Sequence, residues 1–153
     1  ANEAPRKEFE ERPRNVRTSS PTGDKVTYLR QSYTNEESVL VCQMCEEEMP
    51  FRRRDGEYYF EAVQLFDDLA SEYAAAHVAL CPLCAAKFKE FIKRDNRHHQ
   101  QLQDAVARGE GLKFILELGE LRGSIRFVEK HLLDIKGLLA EEGVHINLEI
   151  TSN

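Results

Sequence analysis

The first half of the chain combines aromatic and β-branched stretches with polar, alanine-containing ones. Asp55-Gly56 is a strong turn signal between aromatic residues, and it predicts a β-hairpin over residues 49–66. The spacing of the remaining apolar positions predicts four further elements: a helix over 24–32, a strand over 38–41, a helix over 65–76 and a short apolar segment over 78–80.

The second half of the chain has longer periodic stretches. Apolar residues recur at helical spacing after Pro82, and proline suits the first position of a helix because its missing N–H would lack a helical partner there. We therefore predict a helix that begins at Pro82. The same periodicities predict a polar helix over 97–108, strands over 112–118 and 124–128 with a turn near 119–123, an amphipathic helix over 130–140 that ends before Gly143, and a final strand over 144–150.

Composition places the chain among globular proteins. Of the 153 residues, 41% are hydrophobic and 31% are charged, a balance that disordered and membrane-spanning chains lack. No apolar run reaches the roughly 18 residues that a bilayer span needs, so we expect no membrane partner and a cytoplasmic location. Residues 1–22 are polar and contain three prolines, which is typical of a flexible linker or tail. The chain begins without Met, and we expect it to be part of a longer protein.

The cysteines carry the clearest chemical signal. The chain has four, which form two C-x2-C pairs: Cys42 with Cys45, and Cys81 with Cys84. Two close pairs with no cysteine left over predict one tetrahedral Zn²⁺ site with a structural role, because thiolates prefer a soft or borderline ion. Two disulfides, a redox dithiol and an iron–sulfur cluster are the alternatives.

Three segments resemble the HNH endonuclease family: Val41–Cys45, Tyr59–Leu65 and Leu80–Ala86. In that family a first C-x-x-C pair precedes a hairpin with an E-x-H-H-[IL]-like segment, and a second pair reads L-C-x-x-C-H. The resemblance covers residues 39–94 and implies a treble-clef zinc finger. The same segment is also similar to C-terminal zinc modules of large bacterial multidomain proteins.

The chain departs from the HNH pattern at the catalytic positions. Val63 and Gln64 stand where the family has its histidine pair, and Ala85 stands where a histidine commonly follows the second cysteine pair. An HNH reaction needs a histidine base and ligands for a divalent ion, which valine and alanine cannot supply. The resemblance therefore implies a degenerate, non-catalytic module. The alternative is an active nuclease that uses displaced histidines, namely His77, His98 or His99.

Basic residues form two candidate groups for phosphate contact. Three arginines occupy the predicted hairpin turn, and five basic residues follow the second cysteine pair: Arg52, Arg53, Arg54, Lys87, Lys89, Lys93, Arg94 and Arg97. The net charge of −6 argues against a strongly basic DNA-wrapping protein, but a local patch remains compatible with it. The partner classes are therefore DNA or RNA, another domain of the parent protein, or a separate protein partner.

Together these observations predict an α+β fold. We assign residues 1–22 to the linker or tail, residues 23–95 to a zinc-stabilised treble-clef (HNH-like ββα) module, and residues 96–153 to a helix plus a β-β-α-β extension that packs on that module. The expected function is zinc-dependent recognition or assembly within a larger bacterial protein, in a defence or DNA-processing context that only the resemblance suggests. A purely protein–protein interaction domain is a further alternative.

Overall fold

The computed structural model describes residues 24–151, with side chains through residue 141. The predicted tail over residues 1–22 lies outside the described residues. The fold is a mixed α+β arrangement in which two antiparallel strand pairs alternate with helices. In chain order the elements are α1 (Lys25–Tyr33), β1 (Glu61–Gln64), β2 (His77–Leu80), α2 (Pro82–Phe88), α3 (Asn96–Arg108), β3 (Lys113–Leu118), β4 (Leu121–Arg126) and α4 (Glu129–Thr151).

Helix α1 confirms the helix predicted over 24–32. Its N-cap is Asp24, whose carboxylate accepts a hydrogen bond from the Val26 N–H at 3.0 Å. That bond satisfies one of the N–H groups that the first turn leaves without a partner. The helix buries Leu29 and Tyr33 in the core.

Strands β1 and β2 form a hairpin in which Val63 lies opposite Val78 and Gln64 opposite His77. The turn predicted at Asp55-Gly56 is present, with Gly56 at φ 90° and its N–H bonded to the Arg53 carbonyl at 2.9 Å. The predicted hairpin over 49–66 is wrong in its extent, because the pairing across this turn is a single bridge between Arg52 and Tyr58. The predicted strand over 38–41 is likewise reduced to isolated bridges at residues 40 and 41.

The helix predicted over 65–76 is wrong. Only Ala74–Ala76 form a short 3₁₀ turn, and the rest of the segment is the loop that joins β1 to β2. The Leu65 N–H donates to the Ala76 carbonyl at 2.8 Å, which extends the strand pairing into the segment. Phe66 is fully buried in the core. Strand pairing and core burial therefore override the modest helix propensity of an alanine-containing stretch.

Two helices follow the second cysteine pair as predicted. Helix α2 has Pro82 at its first position and continues through a π-helical turn over Lys89–Lys93. Helix α3 begins after Asp95, whose side chain caps it by accepting from the His98 N–H at 3.0 Å. Its apolar face buries Leu102 and Val106.

Strands β3 and β4 form a second hairpin with a two-residue connection, Gly119-Glu120. Gly119 has φ 70°, which suits the first position of a type II′ turn. The second strand therefore begins at Leu121, three residues earlier than predicted, because the tight turn allows pairing to start at once.

Helix α4 begins as predicted but extends through residue 151, so the final strand predicted over 144–150 is wrong. Gly143 does not end the helix. An interior glycine costs only about 1 kcal/mol, which the surrounding helix tolerates. The alternating apolar pattern in this segment needs a neighbouring strand to form a sheet, and the described residues place none beside it.

One hydrophobic cluster contains residues from both cysteine-bearing segments and from the C-terminal elements. Its fully buried members include Leu40, Phe66, Phe88, Phe127 and Ile135. Within the described part of the chain, no helix is both long and apolar enough to cross a membrane.

His131 is a polar group inside this core. Its Nε2 lies 3.0 Å from the Ala75 carbonyl and its Nδ1 lies 2.6 Å from the Tyr33 hydroxyl. A carbonyl oxygen only accepts, so Nε2 carries the proton and Nδ1 accepts from Tyr33. Burial lowers the pKa of His131 to about 4.

We expect this buried imidazole to make stability depend on pH. The unfolded His131 binds a proton near pH 6.5, whereas the folded one stays neutral to about pH 4. Stability is therefore fully present above pH 6.5 and decreases as pH falls towards 4, by about 3 kcal/mol for this group. Urea unfolding of the zinc-saturated chain across this range measures the loss, and His131→Gln should reduce the slope. A His131 titration midpoint above about pH 6 by NMR would contradict the assignment.

Candidate metal centre

The two cysteine pairs converge on one point. Cys42 and Cys45 belong to a tight turn after the bridge at Val41, Cys81 is the N-cap of α2, and Cys84 lies in the first turn of that helix. The four Sγ atoms all lie within 4.8 Å of one another. A zinc ion bound by four thiolates at about 2.3 Å holds its sulfurs about 3.8 Å apart. The cluster therefore fits a single tetrahedral ion with small adjustments of the side chains.

Backbone amides point at the sulfurs. The Met44 and Cys81 N–H groups each lie 3.4 Å from the Cys42 Sγ, and the Cys84 N–H lies 3.5 Å from the Cys81 Sγ. Hydrogen bonds to a sulfur favour its charged form. Both turns thus present amides that stabilise thiolates, which are the form that binds a metal ion.

The thiols share protons unequally. A hydrogen bond from the Cys84 thiol lowers the pKa of Cys42, and the same bond raises the pKa of Cys84. Burial raises the pKa of Cys45 to about 11. Binding of a divalent ion would displace the remaining protons, because metal ligation requires thiolates.

This donor set would suit a structural ion. Four protein sulfurs complete a tetrahedral shell and leave no open position for water or substrate. The four cysteines are free thiols rather than disulfides, and they lie in one cluster rather than as two separate pairs. The arrangement could hold a metal ion, in agreement with the zinc expected from the spacing. Comparison with family models, curated proteins and solved structures finds no match to this chain.

Gln43 is a residue of this centre that the sequence did not single out. It lies between the first two cysteines and is 1% exposed. Its side-chain oxygen accepts from the Ala79 N–H at 2.7 Å, and its side-chain nitrogen donates to the Arg126 carbonyl at 2.9 Å. Its own N–H and carbonyl bond to the same two residues, at 3.0 and 2.9 Å. Gln43 therefore joins the first cysteine turn to β2 and to β4. Polar residues are common between paired cysteines, so the sequence alone does not indicate that Gln43 bonds both strands.

Glu46 is a second such residue. It directly follows Cys45 and has φ 61°, a left-handed conformation that usually favours glycine. Its carboxylate forms ion pairs with Lys113 at 2.8 Å and with Arg126 at 3.4 Å. The hydrogen bond from Lys113 lowers the pKa of Glu46. The first cysteine turn is thereby attached to both strands of the second hairpin.

The residues that stand where the HNH pattern would require histidines have structural roles. Val63 is 6% exposed and Ala85 is 1% exposed, so both contribute to the core. The Gln64 side-chain nitrogen donates to the Leu69 carbonyl at 2.7 Å and holds the β1–β2 loop. None of these three side chains offers a general base.

The candidate displaced histidines also contact the backbone or a nearby carboxylate. His77 Nδ1 lies 3.1 Å from the Tyr73 carbonyl, and burial lowers the pKa of this histidine. His99 Nε2 lies 2.8 Å from the Leu65 carbonyl, and His98 Nδ1 lies 3.2 Å from an Asp95 carboxylate oxygen. Within the described residues, the four cysteines are the only group of histidine, cysteine or acidic side chains that lie close enough together to hold one metal ion.

The arginines predicted for phosphate contact lie at the tip of the Asp55-Gly56 turn. Arg53 and Arg54 are exposed. Arg52 packs its guanidinium 4.0 Å from the centre of the Tyr58 ring and donates to the Gly56 carbonyl at 2.8 Å. Part of this basic group is therefore engaged in holding the turn.

The second basic group begins in the last turn of α2 and is partly neutralised. Three of its members form ion pairs with carboxylates: Lys89 with Glu61 at 3.1 Å, Lys93 with Asp67 at 2.6 Å, and Arg94 with Glu90 at 3.1 Å. Lys87 is half-buried and Arg97 is exposed. Ion pairs along the helix weaken the positive field that nucleic-acid binding requires.

Proposed function

We propose that this chain is a non-catalytic zinc-binding module that serves recognition or assembly within a larger bacterial protein. The observation that carries the proposal is the cluster of four cysteine sulfurs within 4.8 Å of one another. In this proposal zinc links the turn at residues 42–45 to the start of α2. It acts as a structural cross-link rather than as a Lewis acid, because the four sulfurs fill its coordination shell.

The order of the elements supports a treble-clef arrangement for the module. A cysteine turn comes first, a strand pair follows, and a helix then supplies the second pair of ligands from its N-terminal end. We further propose that this treble-clef arrangement is HNH-like. The occupants of the former catalytic positions support it, since Val63 and Ala85 are core residues and Gln64 holds a loop.

A degenerate module is expected to leave DNA intact. Supercoiled plasmid incubated with the zinc-loaded chain and added Mg²⁺, Mn²⁺ or Ni²⁺ should show no nicking above a buffer control, because no described histidine faces a second metal site. The gel assay should include His77→Ala, His98→Ala and His99→Ala. Nicking by the parent chain that any of these changes abolishes would establish the alternative, an active nuclease with displaced histidines.

The same samples separate the two partner classes. A band shift that weakens with added salt, and that Arg53→Ala with Arg54→Ala removes, would assign nucleic acid as the partner through the exposed turn. The matched control is Lys89→Ala, whose amine is already paired with Glu61. A chain that shifts neither single-stranded nor double-stranded probes would favour a protein partner.

A further inference from the structure

The two edges of the second hairpin differ, because the edge along β4 is bonded at Arg126 whereas the edge along β3 is open over its length. β4 is flanked on its outer side by Gln43, which bonds both the N–H and the carbonyl of Arg126. β3 pairs with β4 on one side, and among residues 24–151 no strand pairs with its other side. The open edge of β3 is therefore a place where this sheet could be extended.

The bonds of Arg126 also show which groups of β3 face outward. Arg126 lies opposite Lys113, and because its backbone groups bond Gln43, this pair exchanges no hydrogen bonds. The Phe127 N–H donates to the Leu112 carbonyl at 2.8 Å, as expected for the neighbouring, bonded pair. Pairs alternate between these two kinds along an antiparallel ladder. The N–H and carbonyl groups of Lys113, Ile115 and Glu117 therefore point to the open edge.

The side chains of the same three residues form a self-complementary pattern. Lys113, Ile115 and Glu117 share the exposed face of β3, and Ile115 is 64% exposed. If two copies of β3 pair antiparallel about Ile115, Lys113 of each copy lies opposite Glu117 of the other. The isoleucines then lie opposite each other at the centre, and all three residues become hydrogen-bonded pairs. Opposite charges directly across a ladder are stabilising.

The surroundings of the edge are compatible with an added strand. A groove of about 390 Å³ runs along β3, and consecutive residues from Lys113 to Glu117 line it. Successive residues of a strand point to opposite faces, so a groove that touches them all follows the edge of the strand. Leu102 and Ala105 of α3 line the other side.

We propose that β3 is a homodimerisation edge, where a second copy of this chain adds its own β3 antiparallel about Ile115 to form a four-stranded sheet. The present partners of the two charged side chains do not prevent this. Lys113 pairs with Glu46 while 52% exposed, and Glu117 reaches Arg122 only at 4.0 Å. The inference is independent of the proposed zinc-dependent recognition function.

A charge-swap experiment tests the register. Lys113→Glu places two glutamates across each end of the dimer, and Glu117→Lys places two lysines there. We expect each variant alone to raise the dimer dissociation constant at least about tenfold in sedimentation equilibrium of the zinc-loaded chain. An equimolar mixture restores both opposite-charge pairs and should recover a heterodimer. Circular dichroism of each variant verifies the fold.

Two further measurements complete the test. Ile115→Lys should abolish the dimer, whereas Leu133→Lys, at an equally exposed residue on α4, should leave it unchanged. Amide exchange at 113, 115 and 117 should slow as the dimer forms. A chain that remains monomeric at millimolar concentration overturns the proposal. A dimer that persists after Ile115→Lys would also overturn the proposal, because such a dimer would form through a surface other than the edge of β3.

Discussion

Chelation of zinc from the zinc-loaded chain is expected to unfold residues 39–94. Structural zinc contributes on the order of 10 kcal/mol to the folding of small metal-dependent modules. A whole domain is stable by only about 5–15 kcal/mol. In this fold the cluster joins residues 42–45 to the start of α2, and Cys42 and Cys84 are themselves buried members of the core. Loss of the ion would leave the thiols of Cys42 and Cys84 without a bound ion inside that core. We therefore expect residues 39–94 to unfold. The core that they share with the C-terminal elements should then no longer unfold in a single cooperative transition.

Native mass spectrometry should find one zinc per chain, and thermal melting with and without a chelator should measure the loss. Cys84→Ser should reproduce the chelated state even in excess zinc, since a serine hydroxyl is a poor fourth ligand. Leu83→Ser is the matched control, because Leu83 lies between the two cysteines of α2 but is 64% exposed. A melting temperature that the chelator does not change would contradict the prediction. A chain that is fully folded but contains no zinc would also contradict it.

Three of the helices that the sequence predicts begin at a local cap or start signal, although only Pro82 was used as such a signal in the prediction. Asp24 and Asp95 cap α1 and α3, and Pro82 occupies the first position of α2. In each case the signal depends on a few neighbouring residues, so tertiary context does not alter it. The spacing of the cysteines is local in the same sense. Each C-x2-C pair forms its own turn, and the structure brings both turns to one cluster.

The elements that sequence reasoning misassigned depend on distant partners. The segment 65–76 has a helix-compatible composition, but its ends lie beside each other because β1 pairs with β2. The segment 144–150 alternates like a strand, yet it continues α4. Period and propensity describe a segment by itself, whereas strand pairing is decided by what lies next to it. The role of Gln43 was invisible for the same reason, since its side chain bonds residues 36 and 83 positions away.

Gln43→Met is expected to be among the most destabilising single changes outside the cysteines. Methionine keeps the length and volume of the side chain but removes both polar ends. The Ala79 N–H and the Arg126 carbonyl would lose their side-chain partners in a region where water has little access. An unsatisfied buried polar group costs about 1–3 kcal/mol, so we expect a loss of about 3 kcal/mol in the free energy of unfolding and a fall of about 10 °C in Tm.

Chemical and thermal unfolding of the zinc-saturated chain measure this loss, with Gln100→Met as the matched control. Gln100 carries the same amide but is exposed on α3, where it bonds only Asp104. The control should change stability by less than about 0.5 kcal/mol. Because Gln43 joins the first cysteine turn to β4, its loss should also speed zinc release to a chelator, whereas Gln100→Met should not. If both variants were equally stable, the hydrogen bonds of Gln43 would not hold the second hairpin to the metal centre, and the ion pairs of Glu46 would have to do so alone.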